Sequence, residues 1–343
     1  MDYTGLSRFA KYKLNRPLTD DDRSGQLRLE SKAGVEPLDW MSVIKINSTY
    51  LELVDRWYPV KGWWTWMGLV LALPFSAFAI VLLALVSNGD LSGSDLGVVA
   101  SGLAGAAIAA LIALGGVWVL RHEAFRQTHY PIRLNRKTRQ VYAFRPDGTL
   151  IRAGWDELFL TAVKSELTMG QSSEDVRAYV LDPDGHTVRD TFTLAYPFLG
   201  DREGLMRLWE YVRRYMESPD GVEKNYQLTE ICMPIDGRRE GILFGIVRTF
   251  APFARWPFLQ LAASPFLALT ALGRWFAMST SKVPVWPQDV EADCQVDAAD
   301  PFTKDWRSNG KYDFYELWWP VICVAVGLIA VAAGVGWLIS AVL

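Results

Sequence analysis

Three long apolar runs, none interrupted by a charged residue, constrain this chain more than anything else: residues 62–86, 96–120 and 317–343. A helix rises about 1.5 Å per residue, so roughly 20 apolar residues cross a hydrocarbon core of ~30 Å. Each run meets that length, and a helix satisfies its own backbone hydrogen bonds where lipid offers none. The expectation is an α+β integral membrane protein with three transmembrane helices embedded in a lipid bilayer. Residues 62–120 form a hairpin and 317–343 a C-terminal span.

Charge around the runs sets the orientation. Between the first two lie Asn88, Asp90 and Asp95 with no Lys or Arg, whereas Arg121, Arg126, Arg133, Arg136, Lys137, Arg139 and Arg145 follow the second. Positive charge stays cytoplasmic, so the hairpin turn faces out and the polar stretch after Arg121 faces in. Lys304, Arg307 and Lys311 place the start of the last span inside and its C-terminal end outside. Trp63, Trp64, Trp66, Trp118, Trp318, Trp319 and Trp337 stand near span ends, as an interfacial aromatic belt does. Residues 1–61 are mixed and polar, without the apolar core of a signal peptide, so they are expected to remain cytoplasmic.

Residues 241–278 are apolar and aromatic but broken by Arg248, Arg255 and Arg274 and by Pro252, Pro257 and Pro265. Both flanks of the clean stretch are basic. Broken helices lying in the inner interface, or dipping in and returning, fit this pattern, with a fourth full span as the alternative. On the second span Gly97, Ser101, Gly105, Ala109 and Ala113 recur every four residues, with Gly102, Ala106 and Ala110 beside them. Such a stripe lets membrane helices approach closely, either in a homo-oligomer or partner interface or against another span of the same chain.

Between the second and third runs the pattern changes to short strands, expected at 132–135, 140–145, 150–155, 158–163, 177–181 and 188–194. Pro146-Asp147-Gly148 and Pro183-Asp184-Gly185 supply the positive φ of tight hairpins. Leu205, Leu208, Trp209, Val212 and Tyr215 then give one apolar helical face, with Arg207, Arg213 and Arg214 on other faces. The expected domain is a cytoplasmic antiparallel sheet over 121–240 capped by that one helix. Residues 279–316 are a cytoplasmic linker. The arginines are solvated charges or, as the sharper possibility, a lipid-headgroup contact.

No chemistry declares itself. His122, His129 and His186 are not spaced with Ser, Cys or paired ligands, and HExxH, GxSxG and Gly-rich phosphate loops are absent. Cys232, Cys294 and Cys323 form no CxxC pair. No ionisable residue interrupts the three runs, which removes the usual mark of a proton relay or carrier. The net charge of −3 argues against a nucleic-acid partner. Neither enzyme, metal site nor cofactor is expected.

A hairpin, several strands and one amphipathic helix together resemble small bacterial membrane proteins with a pleckstrin-homology-like sheet. The words NSTYLELVDRWYP (47–59), ALGRWFAM (271–278) and PVWP (284–287) resemble an uncharacterised proteobacterial membrane family often encoded beside type VI secretion effectors. That resemblance implies a setting, and joined to the lack of catalytic chemistry it gives the expectation of a non-catalytic inner-membrane immunity protein that binds a cognate toxin. A membrane-anchored adaptor or sensor, binding a protein or lipid headgroups through its sheet, is the alternative.

Overall fold

The computed structural model describes residues 14–88, 96–167, 171–194 and 202–342. In chain order the strands are β1 (Arg16–Pro17), β2 (Val43–Ile46), β3 (Tyr50–Leu53), β4 (Ile132–Asn135), β5 (Gln140–Phe144), β6 (Leu150–Gly154), β7 (Leu158–Leu167), β8 (Gln171–Leu181) and β9 (Thr187–Thr193). The helices are α1 (Asp20–Ser24), α2 (Trp63–Ser87), α3 (Leu96–Leu120), α4 (Arg202–Glu217), α5 (Gly221–Leu228), α6 (Ile242–Phe250), α7 (Pro257–Ala262), α8 (Ser264–Thr280), α9 (Gln288–Asp293) and α10 (Trp319–Val342). They divide between two compact units.

The sheet unit takes the chain up to Val60, then Gln127–Gly241 and Val283–Tyr312. It holds two antiparallel sheets, of order β2-β3-β4-β5-β6 and β1-β9-β8-β7, where one sheet was expected. Two strands of the first come from residues before the first apolar run. Leu53 of β3 pairs with Ile132 of β4, so the whole first apolar hairpin is spliced between two paired strands. Residues 283–312 are likewise no linker: Ile46 and Lys304 exchange backbone hydrogen bonds beside β2. Strands alternate sides along their length. Val43, Leu51, Leu53, Ile132, Leu134, Val141, Ala143, Ile151 and Ala153 meet Leu160, Val176, Ala178 and Phe192 in one core, which α4 closes with Leu205, Leu208, Trp209, Val212 and Tyr215. Gly148 and Gly185 sit at φ +87° and +69°, as their hairpin turns require.

The helical unit takes Lys61–Arg126, Ile242–Lys282 and the chain from Asp313 on. Three of its helices are long and apolar enough to cross a membrane, at Tyr58–Ser87, Leu96–Leu120 and Phe314–Ala341. The turn between the first two falls outside the described residues from 89 to 95. Between the second and third, the chain is broken into α6, a 3-10 turn (Ala251–Phe253), α7 and α8. Pro252, Pro257 and Pro265 each stand at the start of a helical segment, where a missing N–H costs no hydrogen bond.

Glycines set the close approaches in this unit. A Cβ on Gly116 of α3 would lie 2.6 Å from Ala72 N, and one on Gly68 of α2 2.6 Å from Leu120 N. The buried seam of α3 is therefore Gly102, Ala106, Ala109, Ala113, Gly116 and Leu120, packed on α2. The expected stripe coincides with this intrachain seam only in part. Ala109 and Ala113 belong to the seam, and Gly105 is half-buried beside Leu82, but Gly97 and Ser101 are exposed. A spacing of four advances 400° around a helix and so drifts off a straight contact, whereas alternating steps of four and three stay on it.

Candidate functional site

The three words singled out in the sequence become contacts. In β3 and β4, Glu52 faces Arg133 and Tyr50 faces Asn135 in register. The side chains of one sheet face enter the apolar core, so these four share the other. That face is covered by the PVWP segment and α9, which bring in Trp286, Glu291, Asp293 and Cys294.

Arg133 is the centre. Its Nε and Nη2 donate to Glu52 Oε2 at 3.0 and 2.8 Å, and Nη1 reaches Glu291 Oε1 at 3.3 Å. Its guanidinium carbon lies 4.3 Å from the Tyr50 ring centroid and 4.5 Å from that of Trp286, which fits two cation–π contacts. The Trp286 indole N–H donates to Glu52 Oε1 at 3.1 Å, so both carboxylate oxygens are engaged. Burial works against the charge of Arg133, but Glu52, Tyr50 and Glu291 together outweigh it and hold the guanidinium protonated. Burial likewise pushes the Cys294 thiol up, away from reactivity. Beside this box, Asn135 Nδ2 donates to the Asp293 carbonyl at 2.8 Å, and the Tyr142 hydroxyl donates to the Asp293 carboxylate.

The rest of the first word is used in the same unit. Asp55 accepts from the backbone N–H of Trp57 at 2.8 Å and of Tyr130 at 2.9 Å. Arg56 pairs with Asp175, which is fully buried and also accepts from Arg177 Nη2 at 3.0 Å and Thr193 Oγ1 at 3.2 Å. Tyr58 donates to Glu240, and its ring meets buried His129 edge-on at 6.5 Å. These contacts fasten residues 47–58 into the unit.

In the helical unit the word ALGRWFAM supplies Gly273. A Cβ there would lie 2.3 Å from Gly62 O, and Gly62 itself, at φ +104°, would place a Cβ 2.4 Å from Arg274 N. Two glycines thus bring the entry of α2 against α8 backbone to backbone. Glu123, just past α3, is buried and accepts at Oε2 from Gly62 N (2.8 Å), Thr65 N (3.0 Å) and Thr65 Oγ1 (2.8 Å). It caps the first turn of α2, which lacks a capping side chain of its own.

The three arginines of α4 have separate partners within the protein. Arg213 is buried, with two bonds to Glu210 at 2.8 and 2.6 Å. Arg214 Nε donates to Asn225 at 2.7 Å, and Arg207 Nε donates to the Glu36 carbonyl at 3.0 Å. The outer side of α4 is covered by residues 27–40: Ala33 N reaches Glu210 at 2.9 Å and Trp40 Nε1 the Gly204 carbonyl at 3.0 Å. Among the described residues no cluster of His, Cys, Asp or Glu is placed to hold a metal ion, and the three cysteines are free and buried.

Fold and site together define a mixed α+β protein, two antiparallel sheets joined to three helices of membrane-crossing length. The chain belongs to DUF6708, a family of unknown function that matches residues 108–298. Arg133, Gly273 and Trp286 lie inside that segment and Tyr50 and Glu52 outside it. No curated relative and no solved structure matches.

Proposed function

We propose that the chain is a bacterial inner-membrane immunity protein that binds a cognate toxin delivered by type VI secretion. The resemblance of the three sequence words to a family encoded beside such effectors supplies the setting. The observation that carries the reading is the splice of an apolar hairpin between paired strands β3 and β4. Chain continuity at both ends of that hairpin tethers a folded sheet unit to helices of membrane-crossing length, as an anchored binding protein requires. Protection by binding asks for such a surface and for no reaction chemistry.

In this reading the sheet unit is cytoplasmic, beside the basic residues that follow Leu120, and the C-terminal end of α10 is periplasmic. The headgroup-binding adaptor is the second reading; that Arg213 bonds to Glu210 and Arg214 Nε to Asn225 supports the immunity reading over it. Deleting the gene should sensitise cells only to siblings that carry the neighbouring effector and a working secretion system. Expression in trans should restore survival in proportion to protein level, and the toxin should co-purify in detergent. A deletion strain that survives attack as well as its parent would refute the proposal.

A further inference from the structure

We infer that residues 242–280 form a re-entrant hairpin, entering and leaving on the side of the sheet unit, whose elbow at 256–262 packs among lipid acyl chains near the bilayer centre. The inference rests on the membrane embedding proposed above and does not depend on the immunity role.

Chain order fixes the sidedness. Gly241 and Val283 both belong to the sheet unit. A folded unit occupies one face of a bilayer, so the segment between them crosses an even number of times. Its helices of 9, 6 and 17 residues are too short to supply two full crossings.

Two independent contacts set the depth. A Cβ on Gly327 of α10 would lie 2.2 Å from Ser264 O, so the start of α8 touches the last span there. Gly327 stands eight residues beyond Trp319, the start of α10, or about 12 Å along the axis. The middle of α8 touches the entry of α2, through Gly273 against Gly62 O. Nine residues separate Gly273 from Ser264, or about 14 Å. Both measures put Ser264 near the middle of a ~30 Å core. Ile246, Phe250, Leu267, Ala271 and Cys323 fill the space where α6, α8 and α10 meet.

The elbow is built for lipid. Phe258 is 88% exposed, Trp256 65%, Leu259 46% and Leu261 37%, continuous with the apolar helices around them. Non-helical backbone at such depth must satisfy its polar groups within the protein. Ala254, Trp256 and Gln260 each donate their N–H to a carbonyl three or four residues back, and Gln260 Nε2 donates to the Phe250 carbonyl at 3.2 Å. Arg248, Arg255 and Arg274 oppose burial in lipid: Arg248 and Arg274 are enclosed by protein, while the long apolar stem of Arg255 can carry its charge toward headgroups.

The test places a nitroxide on single cysteines in a variant with Cys232, Cys294 and Cys323 changed to Ala. The sites are Phe258→Cys, Ile329→Cys on the exposed side of α10 and Asp184→Cys in a sheet-unit turn. Collision rates with oxygen and with a water-soluble nickel chelate are read in phosphatidylethanolamine–phosphatidylglycerol vesicles. Phe258 and Ile329 should both favour oxygen, at depths agreeing within about one helical turn (~5 Å). Nickel accessibility at Phe258 matching Asp184, while Ile329 stays lipid-buried, overturns the elbow alone. Nickel accessibility at Ile329 overturns the membrane embedding and the elbow with it. Should Phe258→Cys lower the yield, Leu261→Cys on the same elbow is read in its place.

Discussion

Removing Glu52 should destabilise the sheet unit far more than removing any exposed charge. Glu52→Ala deletes two hydrogen bonds to Arg133, at 3.0 and 2.8 Å, and the acceptor of the Trp286 indole at 3.1 Å. The guanidinium left behind has a side chain only 3% exposed, and its remaining carboxylate, Glu291, is 3.3 Å away on a side chain 55% exposed. Breaking a buried pair from one side typically costs about 3–5 kcal/mol, because the surviving charge stays desolvated. Lys224→Ala, in the exposed pair with Asp220, should cost about 0–1 kcal/mol. The double variant Glu52→Leu/Arg133→Met removes both charges and should recover much of the loss, since an apolar replacement of such a pair is often neutral. Denaturant unfolding in detergent, with hydrogen exchange of the β3 and β4 amides as the local readout, measures all three. If Glu52→Ala shifts stability no more than Lys224→Ala, water or another anion reaches Arg133 and the box is not sealed.

Other outcomes follow from named contacts. Gly116→Leu should lower the folded yield or thermal stability of detergent-solubilised protein by at least the ~1–3 kcal/mol of overpacking, since even a Cβ meets Ala72 N at 2.6 Å; Gly97→Leu, where a Cβ meets nothing, should be nearly silent. Glu123→Ala should cost about 1–3 kcal/mol by leaving two backbone N–H groups and Thr65 unpaired, and thermal unfolding should show Glu123→Gln, which keeps an acceptor, losing less. Burial alone would raise the Asp22 carboxyl, but Arg16, Thr19 and Tyr179 hold it at about 2. Its folded pKa thus lies below the unfolded value of ~3.9, so its stabilisation is complete above about pH 4 and fades as the pH falls toward 2. Asp22→Asn should flatten that acid limb in tryptophan fluorescence. A cysteine at Asn88 should react with an impermeant thiol reagent from outside intact cells and one at Asp184 should not; labelling at Asp184 would reverse the proposed orientation.

Much of this fold is written locally. Strands β4 to β9 could be placed because Asp147-Gly148 and Asp184-Gly185 punctuate them, and α4 because its apolar positions recur at helical spacing. β2 and β3 could not. Val43 and Ile44 are both buried at a register irregularity, which spoils the alternation of a strand, and the partner of Glu52 lies 81 residues away, beyond two apolar helices. Glu123 was illegible for the same reason, since the amides it caps stand about 60 residues earlier. The words at 47–59, 271–278 and 284–287 stood out as words, yet their meaning is spatial: Tyr50 and Trp286 need Arg133 between them, and Gly273 needs Gly62. The small-residue stripe was half legible, because composition marks a tight helix contact while only the steps of four and three reveal its direction.

The splice of α2 and α3 between β3 and β4 orders the birth of the molecule. β3 leaves the ribosome first and has no β4 to pair with until both apolar helices have been made and β4 has followed them. The central strand pairing of the first sheet therefore waits on synthesis of the whole hairpin, and until then the β3 edge that will receive β4 stays open. The completed sheet is thus a record that the chain has been made through both apolar helices and on to β4, because no earlier length of chain holds both of its central strands.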